Sequence, residues 1–161
     1  TEAQWEYACR AGSATPLFFG DTGADFSKFA NLADQAVLGL VRRDSPKWIP
    51  RDDRFNDASV VTADVGRYQP NAWGLFDMHG NVAEWTRSEY RAYPYKDDDG
   101  RNADNAAGPR VVRGGSWYDR PMRARSSFRL SYPAWRQVYN VGLRIVIESD
   151  AKALASVNVG K

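Results

Sequence analysis

Two carboxylates bracket a short turn in the middle of the sequence, and their spacing suggests a cation site. Asp77 and Glu84 stand within eight residues of each other, and Gly80 between them permits a tight turn. The main-chain carbonyls of Gly80 and Val82 can therefore face the same point as the two carboxylates. Ca²⁺ takes about six to eight oxygen ligands and mixes carboxylates with backbone carbonyls. These four residues predict a calcium site; the alternative is a turn whose two carboxylates cap main-chain amides and pair with arginine.

The single histidine and the single cysteine could in principle do chemistry, but their context argues against it. His79 has no second histidine and no Gly-x-Ser-x-Gly nucleophile sequence to act with, which favours a structural or exposed imidazole over a general base. Cys9 lies in an apolar helical pattern, which favours a buried, inert thiol over a reactive one. One cysteine also excludes an intrachain disulfide and a cysteine metal cluster. A disulfide-free fold tolerates either redox environment, so the sequence fixes no compartment.

Arginine and aromatic residues concentrate in the last third of the chain. From Arg110 to Arg144 there are eight arginines and one acid, Asp119. This composition is typical of recognition surfaces, and it favours an anionic ligand. We name residues 117–136 the display segment, and we expect direct ligand contact from Trp117, Tyr118, Asp119, Arg120 and Trp135. The alternative is that the aromatic rings fill the core and that Arg125, Arg129 and Arg144 form internal ion pairs. We expect Arg129 and Arg144 to brace the segment from within.

Length and net charge restrict the remaining function classes. The 161 residues suit one domain with a sizeable core. The 22 basic and 20 acidic side chains leave a net charge of +2, which gives no case for nucleic acid. No stretch approaches the ~20 apolar residues of a membrane span. The chain opens on Thr1 without a methionine, so we expect a natural N-terminus to have been lost.

The elements that must position these residues are few and short. Thr1 and Gln4 form a predicted capping box for a helix that continues through Cys9 and stops at Gly12. Strands are predicted at 60–66, at 110–113 and at 140–147, the last with apolar alternation that gives it one buried face. These elements predict an irregular α+β fold held together by aromatic residues and loops.

Three segments together resemble the formylglycine-generating-enzyme and sulfatase-modifying-factor family. They are Thr-Glu-Ala-Gln-Trp-Glu-Tyr-Ala-Cys-Arg-Ala-Gly at 1–12, Asn-Ala-Trp-Gly-Leu-Phe-Asp-Met-His-Gly-Asn-Val-Ala-Glu-Trp at 71–85, and Arg-Val-Val-Arg-Gly-Gly-Ser-Trp at 110–117, closing on Val-Gly-Leu-Arg-Ile-Val at 141–146. The resemblance covers about residues 1–147. It implies a C-type-lectin-like fold with few regular elements, in a domain at 1–148 followed by a flexible tail at 149–161.

The resemblance also implies that the domain lacks its N-terminal part, because the family's domain begins well before the first of these segments. The strand at 140–147 would then lack some of its usual neighbours. We therefore expect a homodimer formed by strand exchange, or pairing with a missing N-terminal segment.

Two calcium sites follow from the resemblance. It places the first at Asp77, Gly80, Val82 and Glu84, the four residues already singled out by their chemistry. It places the second at the side chains of Asn31 and Asp53 and the carbonyls of Leu32 and Phe55, although the loop between these residues differs in length from the family pattern.

The resemblance locates the family's catalytic cysteine pair as well. The first of the two aligns with Asp119, and the second falls near Met122 and Arg123, so neither is a thiol here. Because Cu(I) prefers thiolate ligands, a carboxylate at 119 is a poor substitute. We therefore expect a calcium-binding, non-catalytic module whose partner is a protein, a peptide or a small anionic ligand. The alternatives are a formylglycine-generating oxidoreductase or its degenerate remnant, and a purely structural fragment.

Overall fold

The computed structural model describes residues 1–40 and 49–147. Helix α1 spans Glu2–Arg10, and the predicted capping box is confirmed: the Gln4 amide donates to Thr1 while the Gln4 side chain reaches back to the residue 1 main chain. The helix ends one residue earlier than predicted. Its C-cap is Ala11 in the left-handed region at φ 44°, and Gly12 follows at φ 90°. The glycine thus supports the turn after the cap.

The strands form one small four-stranded sheet. Its strands are β1 (Ala83–Glu89), β2 (Arg110–Arg113), β3 (Leu130–Tyr132) and β4 (Val141–Gly142), in the spatial order β3-β2-β1-β4. β2 pairs antiparallel with both β1 and β3, whereas β4 pairs parallel with β1. A 3₁₀ helix at Gln35–Leu40 and a short helix α2 at Pro121–Ala124 complete the described elements. The predicted irregular α+β fold is confirmed.

Two of the three predicted strands are corrected by the structure. Residues 60–66 form no strand, because side chains hold this segment instead: Asn31 Nδ2 donates to the carbonyl of residue 61 and Asn81 Oδ1 accepts from the amide of residue 63. The predicted strand at 140–147 contributes only Val141–Gly142. Its apolar residues Leu143, Ile145, Val146 and Ile147 are 70–84% exposed. Within the described residues no strand pairs with 143–147, so the apolar alternation there has no surface to bury against.

The core lies between α1, the sheet and the long loops. One apolar cluster contains Leu17, Phe26, Ala30, Leu32 and Ala124, and another contains Trp5, Cys9 and Met78. None of the described helices is both long and apolar enough to cross a membrane. The predicted tail at 149–161 lies outside the described residues.

Candidate metal and ligand-binding sites

The turn at 77–84 is built from an unusual run of left-handed backbone. Asp77, Gly80 and Asn81 have φ values of 55°, 76° and 60°. The Gly80 amide donates to the Gly114 carbonyl (2.9 Å), and the Asn81 amide donates to the Asn31 carbonyl (2.8 Å). A Cβ at Gly80 would lie 2.2 Å from that Asn31 oxygen, so only glycine fits. The predicted turn between the two carboxylates is therefore present, and it is pressed against the main chain of Asn31.

Asp77 has the environment expected of a cation ligand. Its Oδ2 accepts from the Gly66 amide at 2.7 Å. Its Oδ1 is buried, and no hydrogen-bond partner for it exists within the described residues. A buried carboxylate oxygen left without a partner costs free energy, and a bound cation would relieve that cost.

Glu84, by contrast, is already paired. Its Oε1 accepts from Arg144 Nη2 (2.7 Å) and its Oε2 accepts from Trp5 Nε1 (2.7 Å). Arg144 Nη2 also donates to the Phe76 carbonyl (2.9 Å) and to the Asp77 carbonyl (3.4 Å). One guanidinium thus joins the two ends of the turn. The pairing alternative describes Glu84 in this structure, and the predicted internal ion pair of Arg144 is confirmed.

The second set of predicted ligands is brought together only in part. The Asn31 side chain is fully buried, and its Nδ2 donates to the Val61 carbonyl (2.7 Å) and to Asn81 Oδ1 (3.3 Å). Its Oδ1, like that of Asp77, is buried without a partner in the described part of the chain. The neighbouring Leu32 amide donates to Asp57 Oδ2 at 2.8 Å. Asn31 and Leu32 therefore adjoin a carboxylate, but that carboxylate belongs to Asp57.

Asp53 and Phe55, the other two predicted ligands, already have partners of their own. The Asp53 side chain is 66% exposed and pairs with Arg51, 2.6 Å away. The carbonyls of both residues accept from Gln35, through Nε2 for Asp53 (2.6 Å) and through the amide for Phe55 (3.3 Å). The sequence offers aspartates at 52, 53 and 57, and only the path of the loop decides which one lies beside Asn31.

Asp57 lies beside a second buried acid, Asp34. The two residues are 4% and 0% exposed, and the Asp57 amide donates to Asp34 Oδ2. Burial, with the nearby Asp34 charge as a lesser cause, raises the pKa of Asp57 to about 6. No salt bridge to either carboxylate occurs among the residues described. A cation at this point would offset an otherwise costly accumulation of negative charge.

No cluster of three or more His, Cys, Asp or Glu side chains suited to a metal is present in residues 1–40 and 49–147. A cation at either place would therefore depend on amide and main-chain oxygens as well as carboxylates. Ca²⁺ is the common biological cation with that preference.

The display segment presents aromatic rings beside a glycine-rich turn. Gly114 and Gly115 have φ values of 92° and 69°. The rings of Trp117 and Tyr118 pack edge to face at 5.4 Å, and Tyr139 lies 6.0 and 6.1 Å from them. Arg120 is exposed, and Trp135 is 83% exposed. Of the five predicted contact residues, Tyr118, Arg120 and Trp135 are therefore exposed and Trp117 is half-buried.

Asp119 does not belong to that exposed surface, and its predicted ligand contact is corrected. It is 5% exposed, and its Oδ2 accepts from Ser116 Oγ at 2.7 Å. Its carbonyl accepts from the Ala33 amide at 3.0 Å, and Arg123 lies 3.5 Å from Oδ1. The Asp119 side chain turns inward because the buried Ser116 hydroxyl needs an acceptor there. It fixes the turn that presents its neighbours.

His79 and Cys9 are structural, as predicted. His79 is fully buried: Nε2 accepts from the Phe18 amide (3.0 Å), so Nδ1 carries the proton that is donated to the Ala124 carbonyl (2.7 Å). Burial lowers the pKa of His79 to about 4. Cys9 lies 3.5 Å from that ring, and burial raises its pKa to about 12. A neutral imidazole and a protonated thiol without solvent access form no catalytic pair.

Three comparisons with known proteins bear on this arrangement. Residues 1–149 match the sequence profile of the sulfatase-modifying factor enzyme 1-like domain. The chain is 36% identical over 98 residues to a formylglycine-generating enzyme of Mycobacterium tuberculosis, covering 59% of this chain and 27% of that protein. It is 31% identical over 150 residues to the inactive C-alpha-formylglycine-generating enzyme 2 of Bos taurus, covering 89% and 42%.

Solved structures agree with the fold. PvdO of Pseudomonas aeruginosa superposes with a TM-score of 0.61 at 28% identity, over 89% of this chain and 49% of that one. Treponema denticola variable protein 1 superposes with the same TM-score at 25% identity, over 89% and 44%. The chain spans between a quarter and a half of the length of these four proteins. The profile match over nearly the whole sequence, together with this shared irregular fold, places the chain in the sulfatase-modifying factor family.

Proposed function

We propose that this chain is a non-catalytic, calcium-stabilised binding module of its family, with the display segment as its ligand surface. The surroundings of Asp119 carry the proposal. The residue that aligns with a family cysteine is a buried carboxylate that accepts a hydrogen bond from Ser116, while its chain neighbours Tyr118 and Arg120 stay accessible, as does Trp135. A turn of this kind can present side chains to a ligand, but it holds no thiol that could bind copper.

The only cysteine of the chain supports the non-catalytic side of the proposal. Cys9 is enclosed by His79, Ser126 and the Met78 carbonyl. Its raised pKa keeps it protonated, whereas metal binding and nucleophilic attack both require the thiolate. Two of the similar proteins, from cattle and mouse, are themselves named as inactive members.

Support for calcium comes from two buried oxygens that have no hydrogen-bond partner among the described residues, Asn31 Oδ1 and Asp77 Oδ1, one from each predicted site. Asn31, Leu32 and Asp57 fit a cation better than the set with Asp53, because the Asp57 carboxylate is buried and adjoins Leu32. At the other site Asp77 fits, with Gly80 and Val82 in the same turn, whereas Glu84 would share its carboxylate with Arg144. Calcium bound there would hold the loops at 31–34, 57–66 and 77–84 together.

Calcium removal should lower the melting temperature of the protein. A ligand present at a hundredfold over its dissociation constant stabilises the native state by about 2.7 kcal/mol, which corresponds to roughly 5–10 °C for a domain of this size. Scanning calorimetry with calcium and with excess chelator measures the difference. Asp57→Asn should reduce this sensitivity because it removes one of the two proposed sites, and Asp57→Asn combined with Asp77→Asn should abolish it, whereas Asp53→Asn should retain it. An identical melt of the wild type with calcium and with chelator would contradict the calcium proposal.

Conversion of a sulfatase peptide should not occur. Incubated with a cysteine-containing sulfatase peptide, with or without added copper, the protein should leave the substrate cysteine unchanged because no thiol pair is present to activate oxygen. Mass spectrometry against a no-protein control detects the mass loss that marks formylglycine. Such a loss would establish an enzyme and overturn the non-catalytic assignment.

Mutations in and behind the display segment should behave differently. With a hexaglutamate peptide as the anionic probe, Arg120→Ala or Trp135→Ala should weaken binding by about 1 kcal/mol or more and leave stability nearly unchanged, since both side chains are exposed. Arg144→Ala should instead lower the free energy of unfolding by about 3 kcal/mol, because the buried Glu84 loses its counter-charge. Calorimetric titration and urea unfolding separate the two effects. If Trp135→Ala unfolds the protein while Arg144→Ala leaves its stability unchanged, the assignment of Trp135 to the ligand surface and of Arg144 to the interior would be wrong.

A further inference from the structure

A second concave site lies on the outer face of the sheet. A pocket of about 320 Å³ is lined by Trp85, Thr86, Arg87, Asp104, Arg110 and Ala134. This volume lies at the small end of pockets that hold small molecules. The Trp85 ring, packed edge to face against Tyr132 at 6.1 Å, gives it a rigid apolar wall. The pocket thus joins two guanidinium groups to an indole.

Arg110 is fixed in place without losing its charge. Its Nη1 donates to the Arg87 carbonyl (2.8 Å), and its Nη2 donates to the carbonyls of Ala106 (2.7 Å) and Asp104 (3.4 Å). These bonds occupy three of the five N–H groups of a guanidinium. Glu89 is the residue of β1 paired with Arg110, but its carboxylate accepts a hydrogen bond from Arg91. No carboxylate in the described residues forms a salt bridge with Arg110.

Arg87 adds a second positive charge that is only weakly offset. Its one salt bridge in the described part of the chain is to Asp104, at 4.0 Å, and the two side chains are 59% and 93% exposed. Exposed pairs at this distance contribute about 0–1 kcal/mol, so a ligand carboxylate can displace Asp104 at little cost. Guanidinium groups match the planar geometry of a carboxylate, and they bind it more strongly than they bind a neutral acceptor.

We propose that this pocket binds a small carboxylate with a planar, apolar body, the carboxylate lying between Arg87 and Arg110 and the body against Trp85 and Ala134. The site borders the display segment through Ala134, but none of the five predicted contact residues lines it. The proposal does not depend on the proposed function. Benzoate is a suitable probe because benzamide is its neutral isostere and acetate is the anion without the body.

Ligand-observed NMR titration tests the proposal. Benzoate should bind with a dissociation constant on the order of a millimolar, and benzamide and acetate at least tenfold more weakly. Arg87→Gln should weaken benzoate binding about fivefold or more. Asp104→Asn should strengthen it, because the competing carboxylate is removed. Both positions are exposed, so the variants should fold. Arg54→Gln changes an exposed arginine that lines neither this pocket nor the display segment, and it should leave the affinity unchanged.

The contrary results are distinct. Absence of benzoate binding to the folded wild type, or equal affinity for benzamide, would overturn the site. Loss of affinity in Arg120→Gln with no effect of Arg87→Gln or Asp104→Asn would move the binding to the display segment and refute the pocket.

Discussion

Replacing Glu2 by glutamine should lower the free energy of unfolding by about 3–5 kcal/mol, the range found when one partner of a buried ion pair is removed. Glu2 is 2% exposed, and its two carboxylate oxygens accept from Arg129 Nε (2.7 Å) and Nη2 (2.8 Å). Arg101, 1% exposed in its side chain, places Nη1 3.7 Å from the same carboxylate. Glutamine keeps the shape but leaves two buried guanidinium groups without that negative charge. Urea unfolding measures the loss.

Asp104→Asn is the matched control for Glu2→Gln, because it makes the same carboxylate-to-amide change at a side chain that is 93% exposed. It should change the free energy of unfolding by less than about 0.5 kcal/mol. If Glu2→Gln fails to fold, Glu2→Gln combined with Arg129→Met should recover part of the stability, because the stranded charge is then removed. A loss below about 1 kcal/mol in Glu2→Gln alone would show that solvent screens this network.

Gly80→Ala should be comparably destabilising, by about 4 kcal/mol or more, a size that marks a specific steric mechanism. The new Cβ would stand 2.2 Å from the Asn31 carbonyl oxygen and 3.0 Å from a Leu32 methyl carbon. The oxygen belongs to the main chain and accepts from the Asn81 amide, so it cannot retreat without breaking that bond. The positive φ adds strain of about 1–3 kcal/mol.

Gly74→Ala separates the steric clash with Asn31 from the backbone strain of a positive φ. Gly74 has the same φ of 76°, but a Cβ there would meet nothing within 4 Å. Its alanine variant should therefore lose only the conformational part, about 1 kcal/mol. The difference between the two variants, measured by urea unfolding, isolates the contact with Asn31. If both variants lose the same free energy of unfolding, the turn at 77–84 can move away from Asn31. The two candidate calcium sites would then not be held rigidly against each other.

Features with local causes were readable from the sequence. The start of α1 was predicted because Thr1 and Gln4 satisfy each other's main chain within one helical turn. Strand β2 was predicted from β-branched residues flanked by glycine, and it forms at Arg110–Arg113. The end of β4 was predicted wrongly, because strand length depends on a neighbouring strand and not on apolar alternation alone.

The candidate sites also differ in whether their residues are close together in the sequence. The turn at 77–84 is encoded in a contiguous stretch, so its residues were found from spacing alone. Asp57 was not predicted. Asp53 was chosen from the family resemblance, although the loop between Asn31 and these aspartates differs in length from the family pattern. Asp119 was expected to face a ligand because it follows the Gly-Gly-Ser turn in the segment richest in arginine and aromatic residues. Its side chain is buried against the Ser116 hydroxyl, whose position no sequence pattern reports.

By itself, the sequence determined the family resemblance, the irregular α+β class, the inert character of Cys9 and His79, and the internal placement of Arg129 and Arg144. These follow from residue type and from spacing within short segments. The tertiary structure alone decided which arginine each buried acid meets: Arg144 for Glu84 and Arg129 for Glu2, pairs separated by 60 and 127 residues. Partners so distant in sequence are selected by the whole folded path of the chain, because burial makes an unpaired charge costly and the fold must supply its complement.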